Sequence, residues 1–230
     1  MKVLIIIPAY NEAENIVRVV ENLKKNYSQY DYIVVNDGSK DNTAQICKKY
    51  NFNVVDLPIN LGLAGAFQTG MKYASKHGYD YAIQYDGDGQ HNPEYIEGML
   101  KKAIDDRLDI VIGSRYVCEK KPFTSRMIGN TLISLCILIT TRKYIKDSTS
   151  GMRLYNQKMI NKFASGMNFG PEPDTIAYLI LCGAKIGEYQ VYMNERIAGE
   201  SYFDISGKIK YMLHMCSSIL IVQWFRKRGL

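Results

Sequence analysis

The segment IQYDGDGQHNPE, residues 83–94, places Asp86 and Asp88 two positions apart directly behind an apolar run. Carboxylates at that spacing can converge on a hard divalent cation, and the small Gly87 and Gly89 keep the backbone out of the way. Magnesium and manganese prefer oxygen ligands and often share their shell with substrate phosphates. Without a cation, two carboxylates so close would repel, and one of them would have to hold its proton more tightly. Further acids stand in VVNDGS (Asp37) and in FGPEPDTIAYLILCG (Glu172 and Asp174). Asp41 in SKDNTA and Asn92 before Pro93 read instead as helix caps.

These residues need elements to hold them. KVLIIIP is a continuous, mostly β-branched run of the kind buried on both faces of a parallel sheet. NEAENIVRVVENLKK follows, with Ile16, Val19, Val20 and Leu23 at helical spacing. The unit then repeats in kind: strand YIVVND, helix DNTAQICKKY, strand NVVDLP, helix LAGAFQTGMKYASKHG, strand YAIQYD, helix PEYIEGMLKKAID, strand DIVIGSR. This alternation predicts one α/β domain built from right-handed parallel βαβ units. Ligands of such sheets sit beyond the carboxyl ends of the strands. The strand-end residues are Pro8 to Glu12, Asn36 to Ser39, Asp86 to Asp88, and Gly113 to Arg115. Glycine beside acidic groups at several of these ends suggests close approach of backbone to ligand.

Composition narrows the partners. The chain of 230 residues is 47% apolar, enough for a proper core. Its net charge of +6 is concentrated. Eight basic residues between Arg115 and Arg153 face only Glu119 and Asp147, so that segment carries the whole excess. A local basic field implies an anionic partner: phosphate, nucleic acid or an acidic membrane surface. The basic segment lacks aromatic stacking platforms, and no RNP-like motif is present, which argues against nucleic acid. Five dispersed cysteines without a CxxC pair suit free thiols in a reducing compartment. The apolar run of MKVLIIIPAYNE is too short for a secretory signal, so the chain is expected in the cytosol.

Six segments together carry a family likeness. IIIPAYNEAENI, VVNDGSKDNT, YDGDGQHNPE, VIGSRY, DSTSGMRLY and NERIAGESYF follow the order and approximate spacing of glycosyltransferase family 2 over residues 3–203. The nearest branch resembles the dolichol-phosphate mannose synthases and bacterial polyprenyl-phosphate hexose synthases. The resemblance implies the GT-A fold, an α/β architecture with a mostly parallel central sheet and helices on both faces. It assigns residues 1–205 to that domain and leaves 206–230 as a C-terminal amphipathic helix at a membrane interface. The implied reaction is inverting transfer of a hexose from a nucleotide-diphosphate sugar, UDP- or GDP-linked. Pro8, Ala9, Tyr10 and Glu12 match the nucleoside-holding motif, and Asp37 the aspartate that pairs with the base. Asp86, Gly87 and Asp88 match the metal–diphosphate motif, with Gln90 as an additional ligand and Mg2+ or Mn2+ as the ion. A cation there stabilises the charge gained by the departing diphosphate. Lone His91 reads as a supporting residue.

On the acceptor side, Asp174 is the better match to the family's acidic residue, with Glu172 the competitor. For a hydroxyl acceptor this carboxylate would act as general base. A phosphate monoester has a second pKa of about 6, so there the carboxylate orients rather than deprotonates. Arg115 and Arg126 match arginines that grip the lipid phosphate, while Arg153 and Arg196 are further phosphate candidates. The planar fork of arginine binds phosphate oxygens bidentately.

Two segments bear on a lipid acceptor. RMIGNTLISLCILITTRK and IKYMLHMCSSILIVQWFRKR each hold 15 residues without formal charge. A bilayer span needs about 20. In the second, Ile209, Met212, Leu213, Cys216, Ile219, Leu220 and Trp224 share a helical face, with Arg226, Lys227 and Arg228 at its end. This pattern suits a helix lying among headgroups, and it also suits a core helix. The sequence ends at Leu230 without the transmembrane pair of many bacterial relatives. Contact with the inner face of the cell membrane is therefore expected to be peripheral, or to depend on a membrane partner or a second copy of the chain. The rival readings are transfer to a hydroxyl of a lipid-linked glycan, and a non-catalytic module that binds nucleotide or membrane.

Overall fold

The computed structural model describes residues 1–122, 124–166, 170–193, 205–221 and 225. The first half follows the pattern read above: β1 (Val3–Ala9), α1 (Ile16–Asn26), β2 (Asp31–Asn36), α2 (Thr43–Lys49), β3 (Val54–Asp56), α3 (Gly62–Lys76), β4 (Tyr81–Gln84), α4 (Tyr95–Asp105) and β5 (Ile110–Ser114). Then come α5 (Ser125–Thr141), β6 (Arg153–Asn156), α6 (Gln157–Ala164), α7 (Pro173–Leu181), β7 (Ile186–Gln190) and α8 (Ile205–Leu220).

Side chains of β1 alternate between two apolar clusters, one on each face of the sheet. Leu4 and Ile6 enter one and Ile5 and Ile7 the other, and all four are fully buried. A strand covered on both sides has no polar face, which is why its sequence reads as an unbroken apolar run. On the Leu4 side lie Phe67 of α3, Ile133 of α5, Phe163 of α6, Ile176 of α7 and Ile219 of α8. On the Ile5 side lie Val20 of α1, Cys47 of α2 and Met99 of α4. The stripe of α1 is the one its spacing predicts: Ile16, Val19, Val20 and Leu23 are buried.

The seven strands run in the order β3-β2-β1-β4-β6-β5-β7. Most pairs are parallel, but β6 runs antiparallel to both neighbours, β4 and β5. Uniform βαβ alternation therefore breaks at one place. The reversal brings the start of β6 to the edge of the sheet where β1, β2, β4 and β5 end, since Arg153 sits opposite Gln84 and Ile112. A new set of side chains thereby joins the strand-end residues.

α8 packs against α5 and α7. Its expected single apolar face divides: Ile219 is buried and Met212 and Cys216 half-buried, whereas Leu213 and Leu220 are exposed; Met215, outside that face, is buried as well. On α5, Ile128, Leu132, Leu135 and Ile139 form an exposed apolar stripe at helical spacing. Trp224, Arg226, Lys227, Arg228 and the side chain of Ile209 lie outside the described residues. Among the described residues no helix is long and apolar enough to cross a membrane.

Candidate functional site

Beyond the strand ends lies a cleft of about 710 Å3. One end is walled by Pro8, Ala9, Tyr10, Glu12 and Asp37, and the other by Glu172, Pro173 and Tyr211. Between them lie Asp86, Gly87, Asp88, Gln90, Arg115 and Arg153. Asp174 is not part of the lining. The side chain of Arg126 and the whole of Arg196 lie outside the described residues.

At the first end, the loops after β1 and β2 brace each other. The N–H of Lys40 donates to Asn11 Oδ1 (2.8 Å), and Ser39 Oγ accepts the N–H of Asn11 (3.0 Å). Asp41 stands one residue before the N-cap of α2, which is Asn42, and braces the turn instead: its Oδ1 accepts the N–H of Thr43 at 2.9 Å, and its Oδ2 accepts the N–H of Ala13 at 3.1 Å. Burial works against ionising Asp41, but these donors outweigh it and hold its carboxyl below the usual range. Asn92 also lies ahead of its helix, two residues before the N-cap Glu94 of α4, and its Oδ1 accepts the N–H of Glu94 at 3.1 Å. Asp37 is 3% exposed, and its Oδ1 takes the N–H of Leu61 at 2.7 Å. Next to it Gly38 has φ +62, and a Cβ there would stand 2.6 Å from the backbone carbon of Ile59. Only glycine fits that left-handed, crowded position.

The DGD turn after β4 is held from three sides. Arg18 of α1 donates to the carbonyl of Asp88 (3.3 Å), and Asp88 Oδ1 accepts the N–H of Gln90 (3.0 Å). Tyr85 donates its hydroxyl to the carbonyl of His91 at 2.5 Å. The N–H of Asp86 donates to His91 Nδ1 (3.0 Å), so that nitrogen carries no proton and the ring N–H lies on Nε2. Nε2 stands 3.5 Å from Asp86 Oδ2. His91 is thus buried support for Asp86, as its isolation in the sequence suggested. From the far side, Gly151 presents a bare Cα: a Cβ there would come within 2.6 Å of Asp86 Oδ2. Asp86 forms no ion pair with Lys or Arg among the described residues. No group of three or more His, Cys, Asp or Glu is placed to hold a metal among those residues.

Arg115 is less available than its motif implied. Its Nε and one terminal nitrogen fork onto Asp147 at 2.7 and 2.8 Å, and its backbone N–H adds a third bond at 3.1 Å. Asp147 is fully buried and also accepts from Asn130 (2.9 Å). Burial opposes its ionisation, but the Arg115 guanidinium and these donors win and depress its pKa. The basic segment is partly consumed in the same way: Lys121 donates to Asn130 and Lys146 to the carbonyl of Val117.

At the other end, α8 reaches the two acids that begin α7. Tyr211 donates its hydroxyl to Glu172 Oε2 at 2.5 Å, and Ser218 donates to Asp174 Oδ2 at 2.8 Å. Burial pushes the Glu172 carboxyl up, only partly offset by the Tyr211 hydroxyl and the nearby Arg153 charge. Between the two sequence candidates, Glu172 faces the cleft and Asp174 faces α8. Asp147, Gly151, Gln84 and Tyr211 are additions that sequence reasoning did not single out. Asp147 and Gly151 do stand inside DSTSGMRLY, a segment already marked by its family likeness.

Comparison with known proteins fits this geometry. The model of glycosyl transferase family 2 matches residues 4–165. A dolichyl-phosphate N-acetylglucosaminyltransferase of Methanococcus voltae, named for UDP-N-acetylglucosamine, is 35% identical, over 69% of this chain and 70% of its own. An undecaprenyl-phosphate mannosyltransferase of Micrococcus luteus is 30% identical, over 87% of each chain. Among solved structures, a mannosyltransferase of Pyrobaculum calidifontis in complex with GDP-Man and Mn2+ superimposes with a TM-score of 0.63 at 16% identity. That match covers 97% of this chain and 71% of the other. Glucosyl-3-phosphoglycerate synthase of Mycobacterium tuberculosis, with Mn2+, UDP and phosphoglyceric acid, gives 0.66 at 14% identity, covering 96% and 78%. The architecture is the GT-A fold, and the chain belongs to glycosyltransferase family 2.

Proposed function

We propose that this protein is a metal-dependent, inverting hexosyltransferase that moves a sugar from a UDP- or GDP-linked donor onto a polyprenyl phosphate. One observation carries the reading: a single cleft joins the loops of β1 and β2, the DGD turn, and an acidic and basic far end. The nucleoside would lie against Pro8, Ala9, Tyr10 and Glu12, with Asp37 toward the base. Its Oδ1 is already held by the Leu61 N–H, which fixes the orientation of the carboxylate.

The DGD turn fits a cation. Asp86 is paired with no Lys or Arg among the described residues, its Oδ2 facing only His91 Nε2 at 3.5 Å and the bare Cα of Gly151, so a cation is a suitable counter-ion. Asp86 and Asp88, with Gln90, would hold Mg2+ or Mn2+, and a ligand set this small suits an ion that shares a substrate's pyrophosphate. When bound, the ion offsets the charge of the leaving diphosphate. His91 keeps the Asp86 carboxylate oriented, and Arg18 anchors the turn from behind.

At the far end Glu172 orients the acceptor. A phosphate acceptor is already largely ionised near neutrality and needs no base. Attack opposite the departing diphosphate inverts the anomeric centre. The second reading, a hydroxyl acceptor, draws on the raised pKa of Glu172, since a carboxylate with such a pKa is the better base. The relatives named for dolichyl and undecaprenyl phosphate favour the first. The exposed apolar residues of α5 and α8 would rest in the headgroup region of the cytoplasmic leaflet, making residues 206–230 an interfacial segment.

The test is direct. Purified protein is incubated with labelled UDP- and GDP-sugars, Mn2+, and either undecaprenyl phosphate or a lipid-linked glycan. Label in a polyprenyl-phosphate sugar is the expected product. Transfer only to the glycan hydroxyl would sink the phosphate-acceptor reading in favour of its rival.

A further inference from the structure

Two polar groups on the cleft floor have no partner, and the reversed strand β6 brings them face to face. Arg153 is 1% exposed, and its register partner across the β4–β6 pair is Gln84, at 2%. Both line the cleft. The Arg153 guanidinium donates through Nε to the carbonyl of Ser150 (2.9 Å) and through Nη2 to that of Ser148 (2.8 Å). Its Nη1 makes no hydrogen bond, and neither does Gln84 Oε1. The Tyr155 hydroxyl lies beside the guanidinium but misses hydrogen-bonding geometry.

The charge is equally incomplete. Arg153 forms no ion pair within 4.0 Å with a carboxylate among the described residues, although Glu172 contributes to its field. An ionised guanidinium is costly to bury without a counter-charge, and so is a buried acceptor left without a donor. A folded chain tolerates both at one spot when a ligand completes them.

We propose that Arg153 and Gln84 form a phosphate subsite in the floor of the cleft, Arg153 Nη1 taking a phosphate oxygen and the Gln84 amide a hydroxyl next to it. The proposal rests on the donor–acceptor reading above, and it assigns to Arg153 the phosphate contact that Asp147 partly denies to Arg115. Arg153 stands two residues beyond Gly151, which abuts Asp86, and it shares the cleft with Glu172. The subsite thus lies between the two ends. The phosphate comes either from the donor's diphosphate or from the acceptor's monophosphate.

Thermal shift without metal or turnover tests this, using inorganic phosphate, UDP, GDP and farnesyl phosphate as probes. Each stabilises the native state only if it binds it. Inorganic phosphate raises the Tm of the wild type and fails to do so for Arg153→Gln. A loss confined to UDP or GDP assigns the subsite to the donor, and a loss confined to farnesyl phosphate assigns it to the acceptor.

Gln84→Leu supplies the independent arm, because it replaces an orphaned polar group by an apolar one of similar size. It raises the Tm of the free protein and weakens the same ligand about tenfold. A Gln84→Leu protein that is more stable yet binds every probe as the wild type does overturns the proposal. So does an Arg153→Gln protein protected by phosphate like the wild type. If Arg153→Gln does not fold, Arg153→Lys takes its place, since it keeps the charge and loses the fork. If no nucleotide or lipid phosphate protects the wild type, the donor–acceptor reading fails, while the inorganic phosphate arm still decides the subsite.

Discussion

Gly151→Ala perturbs the acidic turn without replacing either of its aspartates. Gly151 is not among the glycines with positive φ, so alanine meets no backbone strain there. The added methyl would stand 2.6 Å from Asp86 Oδ2 and 3.3 Å from its Cγ. To reach ordinary contact near 3.4 Å, the carboxylate tip must retreat by about 0.8 Å. Asp86 can swing, because its side chain is 38% exposed, and it then leaves the His91 Nε2 that faces it at 3.5 Å. The fold therefore survives, and the loss falls on whatever the carboxylate holds. Residues that orient a metal ligand are worth about 10–100-fold in affinity or activity. The assay is hexosyl transfer across a Mn2+ titration, with Tm measured in parallel. The expected result is a 10–100-fold higher half-saturating Mn2+ at a Tm close to that of the wild type. An unchanged Mn2+ dependence in a folded Gly151→Ala protein would refute the placement of the ion at Asp86.

Asp147→Ala leaves the half-buried Arg115 fork and the Asn130 amide without their acceptor and should cost about 1–3 kcal/mol, read from urea midpoints. In the wild type, the depressed pKa of Asp147 contributes stability that is present above its unfolded value of about 3.9 and lost as pH falls through the lower folded value. Asp147→Asn should flatten that acid loss, and an identical acid slope would contradict the account. At the acceptor end, burial raises the Glu172 pKa, so the acidic limb of kcat/KM is shifted to higher pH than an ordinary carboxylate would give. Tyr211→Phe removes the hydroxyl that favours the ionised form and moves the limb to higher pH; a fixed limb discounts Glu172. Finally, vesicles of anionic lipid should sediment the protein at low salt, and Leu132→Glu with Ile139→Glu should release it. Undiminished sedimentation of the double variant would remove α5 from the membrane contact.

The strands that carry the donor loops were legible because β1, β2, β4 and β5 are apolar runs with acids or glycine at their ends. Strand β6 was not, since RLYN is four residues of mixed character whose direction depends on neighbours distant in sequence. That single reversal brings Gly151 and Arg153 into the cleft, and no local pattern announces it. Arg115 looked free for phosphate because its partner Asp147 lies 32 positions away. Distance from the following apolar helix favoured Asp174 over Glu172, yet it is Glu172 that lines the cleft. Packing separates them: Glu172 stands before α7 in extended backbone and lines the cleft, whereas Asp174 in the first turn meets Ser218 of α8. Tyr211 read as one more aromatic of an amphipathic stretch, and its role at Glu172 follows from how α8 docks on α7.

The most direct test is a structure of the protein with an intact nucleotide sugar and Mn2+. The expected result is a cation on Asp86 and Asp88 beside the pyrophosphate, with the nucleoside against Asp37. A pyrophosphate seated in the cleft with both carboxylates turned away from it would contradict the account at its centre.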